Sequence, residues 1–96
     1  MKNLTGKTAL ITGGASGIGL AIGRRLAESG MKIALADIET PILEEAVSEL
    51  KELNYEAIGI QCDVSDLDSM KGMKSQIAET FGNPELICLN AGVGFG

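Results

Sequence analysis

Thr12-Gly13-Gly14-Ala15-Ser16-Gly17-Ile18-Gly19 is the most informative stretch of this 96-residue chain. It follows a short apolar run and opens an amphipathic pattern, so it reads as a turn from a strand into a helix. Glycine at three of these positions has a physical use. Gly13 lets the chain turn sharply, Gly17 lets a ligand come close to the backbone, and Gly19 lets the helix lie against the strand. The N-terminus of a helix carries backbone N–H groups with no partner inside the helix, which suits an anionic pyrophosphate. The spacing is Gly-x-x-x-Gly-x-Gly rather than the general Gly-x-Gly-x-x-Gly. A tight turn with no ligand is the plain alternative. The strand-before, helix-after context favours a dinucleotide site.

Working outward, four nearly continuous apolar runs stand out, at 8–12, 32–37, 57–62 and 86–89. Continuous rather than alternating apolar residues predict strands buried on both faces of a parallel sheet. Three helical patterns lie between them. The first spans 17–29, with Ile18, Ala21, Ile22 and Leu26 on one face and Gly30 as its stop. The second starts at Thr40, read as the cap, with Pro41 at the first helical position. Its stripe is Leu43, Ala46, Val47, Leu50 and Leu53. The third starts at Ser65, with Asp68 three residues on as a weak capping box. Its stripe is Leu67, Met70, Met73, Ile77 and Phe81, and Gly82 and Pro84 end it. The methionines read as core filler. The order βαβαβαβ predicts an α/β fold, a partial doubly wound (Rossmann) parallel sheet with strand order 3-2-1-4. Residues 1–96 read as a single segment, with no linker or repeat.

Bulk properties narrow the function. Apolar residues make up 45%, enough for a packed core. A formal charge of −5 with eight scattered basic residues argues against nucleic acid and against a membrane-surface stripe. Arg24 and Arg25 read as solvated helix charges. No run approaches the ~18 apolar residues of a membrane span, and Gly and Thr interrupt every apolar run in 1–23, against a signal peptide. Cys62 and Cys88 read as small core residues of a reduced, cytoplasmic chain. In the expected strand order they lie three strand spacings apart, about 14 Å, too far for a disulfide. No metal-ligand set is apparent.

Thr-Gly-x-x-x-Gly-Ile-Gly at 12–19 resembles the cofactor motif of the short-chain dehydrogenase/reductase family. Asp37 at the end of the second strand, Asp63-Val64 after the third and Asn90-Ala91-Gly92 after the fourth agree with the family's order, and the resemblance covers the whole chain. It implies a bound dinucleotide held by Thr12, Gly13, Ser16, Gly17, Ile18 and Gly19 at the turn. Asp37 lies 18 residues after Gly19, near the ~20 expected for the acid that accepts from the adenosine ribose hydroxyls. A carboxylate there would repel the 2′-phosphate of NADP. The positions where NADP-using relatives carry a basic residue hold Ser16 and Ile38, so the cofactor reading is NAD. The other reading of Asp37 is a strand-end residue starting the loop to Thr40. The resemblance puts Asp63 and the Val64 backbone at the adenine. Asp63 would also order the loop before the third helix. It puts Asn90, Ala91 and Gly92 on the ribose side of the cleft, with Thr12 as a partner for Asn90. The alternative for Asn90 is a plain loop residue, and Leu89 stands where the family commonly has a further Asn.

Family members transfer hydride with a Tyr, a Lys four residues later, a Ser and an Asn. Here Tyr55 is the single Tyr, and Gly59 stands four residues later. No catalytic residue is therefore assigned, and the chain reads as C-terminally truncated relative to the family and inactive by itself. The resemblance implies the N-terminal nucleotide-binding part of an NAD-dependent oxidoreductase of an alcohol or ketone. The alternatives are a non-catalytic NAD-binding or interaction module, or a non-functional truncated product. An exposed fourth-strand edge predicts self-association.

Overall fold

A computed structural model describes residues 4–13, 15 and 17–89. Four strands and three helices alternate: β1 (Thr8–Thr12), α1 (Gly17–Glu28), β2 (Lys32–Asp37), α2 (Thr40–Glu52), β3 (Ala57–Gln61), α3 (Leu67–Thr80) and β4 (Leu86–Leu89). The strands form one parallel sheet in the order β3-β2-β1-β4. That is the expected doubly wound order. Thr12 pairs in register with Ala36 on one side and Leu89 on the other, so the carboxyl ends of the strands share one edge of the sheet.

β1 is buried throughout and β2 at all but its two end residues. The outer strands differ from the expectation of burial on both faces. Ile58, Gly59 and Gln61 of β3 and Ile87 and Leu89 of β4 are not fully buried. A strand at the rim has a neighbour on one side only, so its outer edge stays open to solvent even where a helix packs on its face, as α2 does on β3. β3 also ends at Gln61, one residue before the predicted limit. Cys62 is buried, Cys88 is half-buried, and both are free, near opposite edges of the sheet.

α1 and α2 cover one face, over a core that includes Ile11, Ile33, Leu35, Leu43 and Leu50. α3 covers the other, over Leu10, Ala34, Ala36, Ile60, Cys62, Met73 and Ile77. The α1 stripe differs from the predicted one. Its buried residues are Gly19, Gly23 and Ala27, while Ile18 is 72% exposed and Leu20, Ile22 and Leu26 flank the core. A Cβ at Gly23 would just reach van der Waals contact, 3.4 Å from Ile11 and Leu35, so this helix packs on the sheet through small residues. Counting apolar periodicity passes over glycines and misses such a face.

Helix ends also correct the sequence reading. The α2 cap is Glu39, with no side-chain cap bond, and Thr40 already lies within the helix, with Pro41 in its first turn. The α3 cap is Asp66 rather than Ser65, and its carboxylate accepts from the Asp68 N–H at 3.1 Å. Leu53 and Leu67 are consequently exposed at helix ends rather than part of the buried stripes. Gly30 and Gly82 adopt left-handed φ of 91° and 88° just beyond α1 and α3, and Asn54 does so at 69° after α2. Arg24 pairs with Glu49, joining α1 to α2 across their exposed surfaces. Such a pair contributes little, ~0.5 kcal/mol.

Candidate nucleotide-binding site

The rim formed by the carboxyl ends of the strands gathers most of the residues singled out from the sequence. At the end of β1, Thr12 is buried and its hydroxyl faces β4, 3.5 Å from the Cys88 carbonyl oxygen, a long contact. Gly13 and Gly17 bracket the turn with left-handed φ of 65° and 37°, a conformation that costs other residues strain. Gly17 and Ile18 are exposed at the start of α1, and Gly19 is buried against the sheet. Ser16, Asn90, Ala91 and Gly92 lie outside the described residues.

Asp37, half-buried at the end of β2, reaches the turn. Its Oδ2 accepts from the backbone N–H of Ala15 at 3.2 Å, and its Oδ1 accepts from the N–H of Glu39 at 3.1 Å. Ala15 is itself buried in the core beneath α1 and α2. One carboxylate therefore ties the glycine turn to the start of α2. A carboxylate offers about four acceptor positions, and these two bonds, among the described residues, take one on each oxygen. Sequence reasoning missed the role of Ala15. Nothing in a one-dimensional pattern says which amide of the turn faces a residue 22 positions away.

Next along the rim, Ile38 is 55% exposed, and Val64 after β3 is 47% exposed. With Ile18 these are large apolar side chains left uncovered at the ends of three neighbouring strands. Asp63 orders its own loop. Its Oδ1 accepts from the Ser65 hydroxyl at 2.7 Å and the Ser65 N–H at 2.9 Å, and its N–H donates to the Ser69 hydroxyl at 3.0 Å. The Ser65 hydroxyl first, then the Ser65 N–H, hold the Asp63 carboxyl below its ordinary 3.8.

Tyr55 is half-buried against the α1/α2-side core, away from this rim, at the opposite end of β3. Gly59, four residues on, sits beneath α2. A Cβ there would lie 2.8 Å from Val47 Cγ2 and 3.1 Å from Leu43 Cγ, so glycine answers a packing need. Among the described residues no group of three or more His, Cys, Asp or Glu side chains could hold a metal ion. No helix among them is long and apolar enough to cross a membrane.

Known proteins share this fold. The chain is 40% identical over 90 residues to 3beta-hydroxysteroid dehydrogenase 2 of Eggerthella lenta, covering 94% of this chain and 35% of that protein. It is 39% identical over 87 residues to a diacetyl reductase of Staphylococcus epidermidis that forms (S)-acetoin, covering 91% and 34%. A crystal structure of a short-chain dehydrogenase/reductase from Burkholderia phymatum in complex with NAD superposes with a TM-score of 0.87 at 36% identity, covering 91% of this chain and 31% of that one. The chain thus spans about a third of the length of these relatives. The family model for short chain dehydrogenases matches residues 7–96, and with the parallel sheet and glycine turn it makes this chain a member of the short-chain dehydrogenase/reductase family.

Proposed function

We propose that this chain is the NAD-binding part of a dehydrogenase that moves a hydride between an alcohol or ketone and the nicotinamide. The observation that carries the reading is Asp37. Its carboxylate stands at the glycine turn, 3.2 Å from the Ala15 nitrogen. An anionic acceptor beside a phosphate-binding turn suits two ribose hydroxyls and opposes a ribose 2′-phosphate. Thr12, Gly13, Ser16, Gly17, Ile18 and Gly19 form the pyrophosphate side. Ile38, Asp63 and Val64 border the adenine, and Asn90, Ala91 and Gly92 border the ribose side of the cleft.

The described residues fit such a ligand. The turn has left-handed glycines where a side chain would be strained, and Ile18, Ile38 and Val64 are exposed at the same end of the sheet as Asp37. NAD, when bound, supplies the hydride acceptor. The residues of this chain bind and orient it: the first turn of α1 presents N–H groups to phosphate, and Asp37 selects the ribose. The substrate is not specified by this part of the molecule. A steroid dehydrogenase and a diacetyl reductase match it about equally well. Free Cys62 and Cys88 suit the reducing cytoplasm.

The test is a titration of the intact native polypeptide with NADH and NADPH, followed by fluorescence. NADH should bind at least tenfold more tightly, and Asp37→Ser should narrow that ratio mainly by improving NADPH. Equal affinity for both, or binding of neither, would remove the reading.

A further inference from the structure

We infer that Asp37 is a positioning residue for the phosphate site as well as a ribose acceptor, so that the two halves of adenosine diphosphate recognition are coupled through one carboxylate. The inference rests on the nucleotide-binding reading above and deepens it. Three observations carry it. Asp37 Oδ2 accepts from the Ala15 N–H at 3.2 Å, across 22 positions of sequence. Asp37 Oδ1 accepts from the Glu39 N–H at 3.1 Å, which fixes the carboxylate from its other side. Ala15 lies between Gly13 and Gly17, both with left-handed φ, and is a buried residue, so a partner within the chain matters to its amide.

A turn held by two glycines is open to many conformations, because glycine loses the most freedom on ordering. Something must choose one. The bond from Ala15 to Asp37 does so, since it anchors the middle of the turn to a strand end that is itself fixed in the sheet at the Asp37–Gln61 register. It also engages the Ala15 amide, so that this N–H is directed at Asp37 and not at a ligand. Loss of the carboxylate would leave a buried N–H without a partner and let the turn drift. Phosphate affinity would fall even for a ligand that never touches Asp37.

The experiment separates the two roles with a ligand lacking the ribose hydroxyls. The intact native polypeptide, Asp37→Ala and Asp37→Asn are titrated with ADP and with 2′,3′-dideoxy-ADP by calorimetry. Both variants remove the negative charge, so they differ in whether the side chain still offers an oxygen to the Ala15 N–H. The expected result is that Asp37→Ala binds dideoxy-ADP about tenfold more weakly than Asp37→Asn does, while both lose affinity for ADP. Equal binding of dideoxy-ADP by the two variants would overturn the positioning role and leave Asp37 as a ribose acceptor only. Hydrogen exchange at the Ala15 amide gives a second reading that needs no ligand. It should be protected in the parent and in Asp37→Asn, and should exchange at least tenfold faster in Asp37→Ala; unchanged protection would also overturn the role. Failure of the parent itself to bind ADP or NAD would strike the nucleotide reading instead, with the exchange result still deciding whether Asp37 holds the turn.

Discussion

The two faces of the sheet are built on different plans. On one, α1 and α2 lie side by side over Ile11, Ile33, Leu35 and Leu50, and at Gly59 α2 comes so near that a methyl group would crowd Val47. On the other, α3 alone covers the middle of the sheet through Met73 and Ile77, and Ile87 and Leu89 of β4 stay 49% and 72% exposed. The first face is tight because the glycine turn delivers α1 onto the sheet at close range. The same close approach sets the helix N-terminus above the strand ends, where the proposed site would hold a phosphate. Packing and the proposed binding share one cause on that face. The second face has no such demand and carries its proposed binding residues, Asp63 and Val64, on a loop ordered by local hydrogen bonds.

This contrast can be broken by experiment. Leu35→Ala removes a fully buried side chain from the tight face and should cost about 3 kcal/mol in urea unfolding of the intact native polypeptide, while Leu89→Ala on the open rim should stay within about 0.5 kcal/mol. Similar losses for the two would mean that β4 is covered as well as β2. Gly59→Ala sharpens the account of close approach. Its new methyl would press on Val47, a β-branched residue with little freedom to move, and should cost about 1–2 kcal/mol. A neutral or stabilising result would show that α2 can lift from β3.

The smallest effect belongs to the Asp63 loop and appears only in acid. Ser65 holds the Asp63 carboxyl below 3.8 in the folded chain, so the unfolded chain takes up this proton first as pH falls. The loop's contribution is therefore full above 3.8 and is lost as pH drops through the lowered folded value. Asp63 titrated by NMR should show a pKa below 3.8, and Ser65→Ala should raise it toward 3.8. A pKa at or above 3.8 in the parent would remove the loop-ordering bond from the account.

Much of this was legible in one dimension. Strand order follows from four apolar runs alternating with three helical patterns, because parallel strands need right-handed crossovers. The positions of Gly13, Gly17, Gly19 and Asp37 were equally visible, since chemistry fixes their types and spacing. Cap residues were harder. Ser65 and Asp66 are both good caps by type, and the choice of Asp66 turns on Ser65 being drawn to Asp63. Exposure at β3 and β4 was misjudged because an apolar run looks the same in a central strand and at a rim.

The sequence by itself determined the order of elements, the glycine turn after β1 and the acid at the end of β2, because periodicity and residue content are local properties of the chain. Only the tertiary structure decided that Asp37 holds Ala15, that α1 rests on Gly19, Gly23 and Ala27, and that Gly59 makes room for Val47. Those are contacts between segments brought together by the sheet, and no pattern within one segment encodes the distance to another.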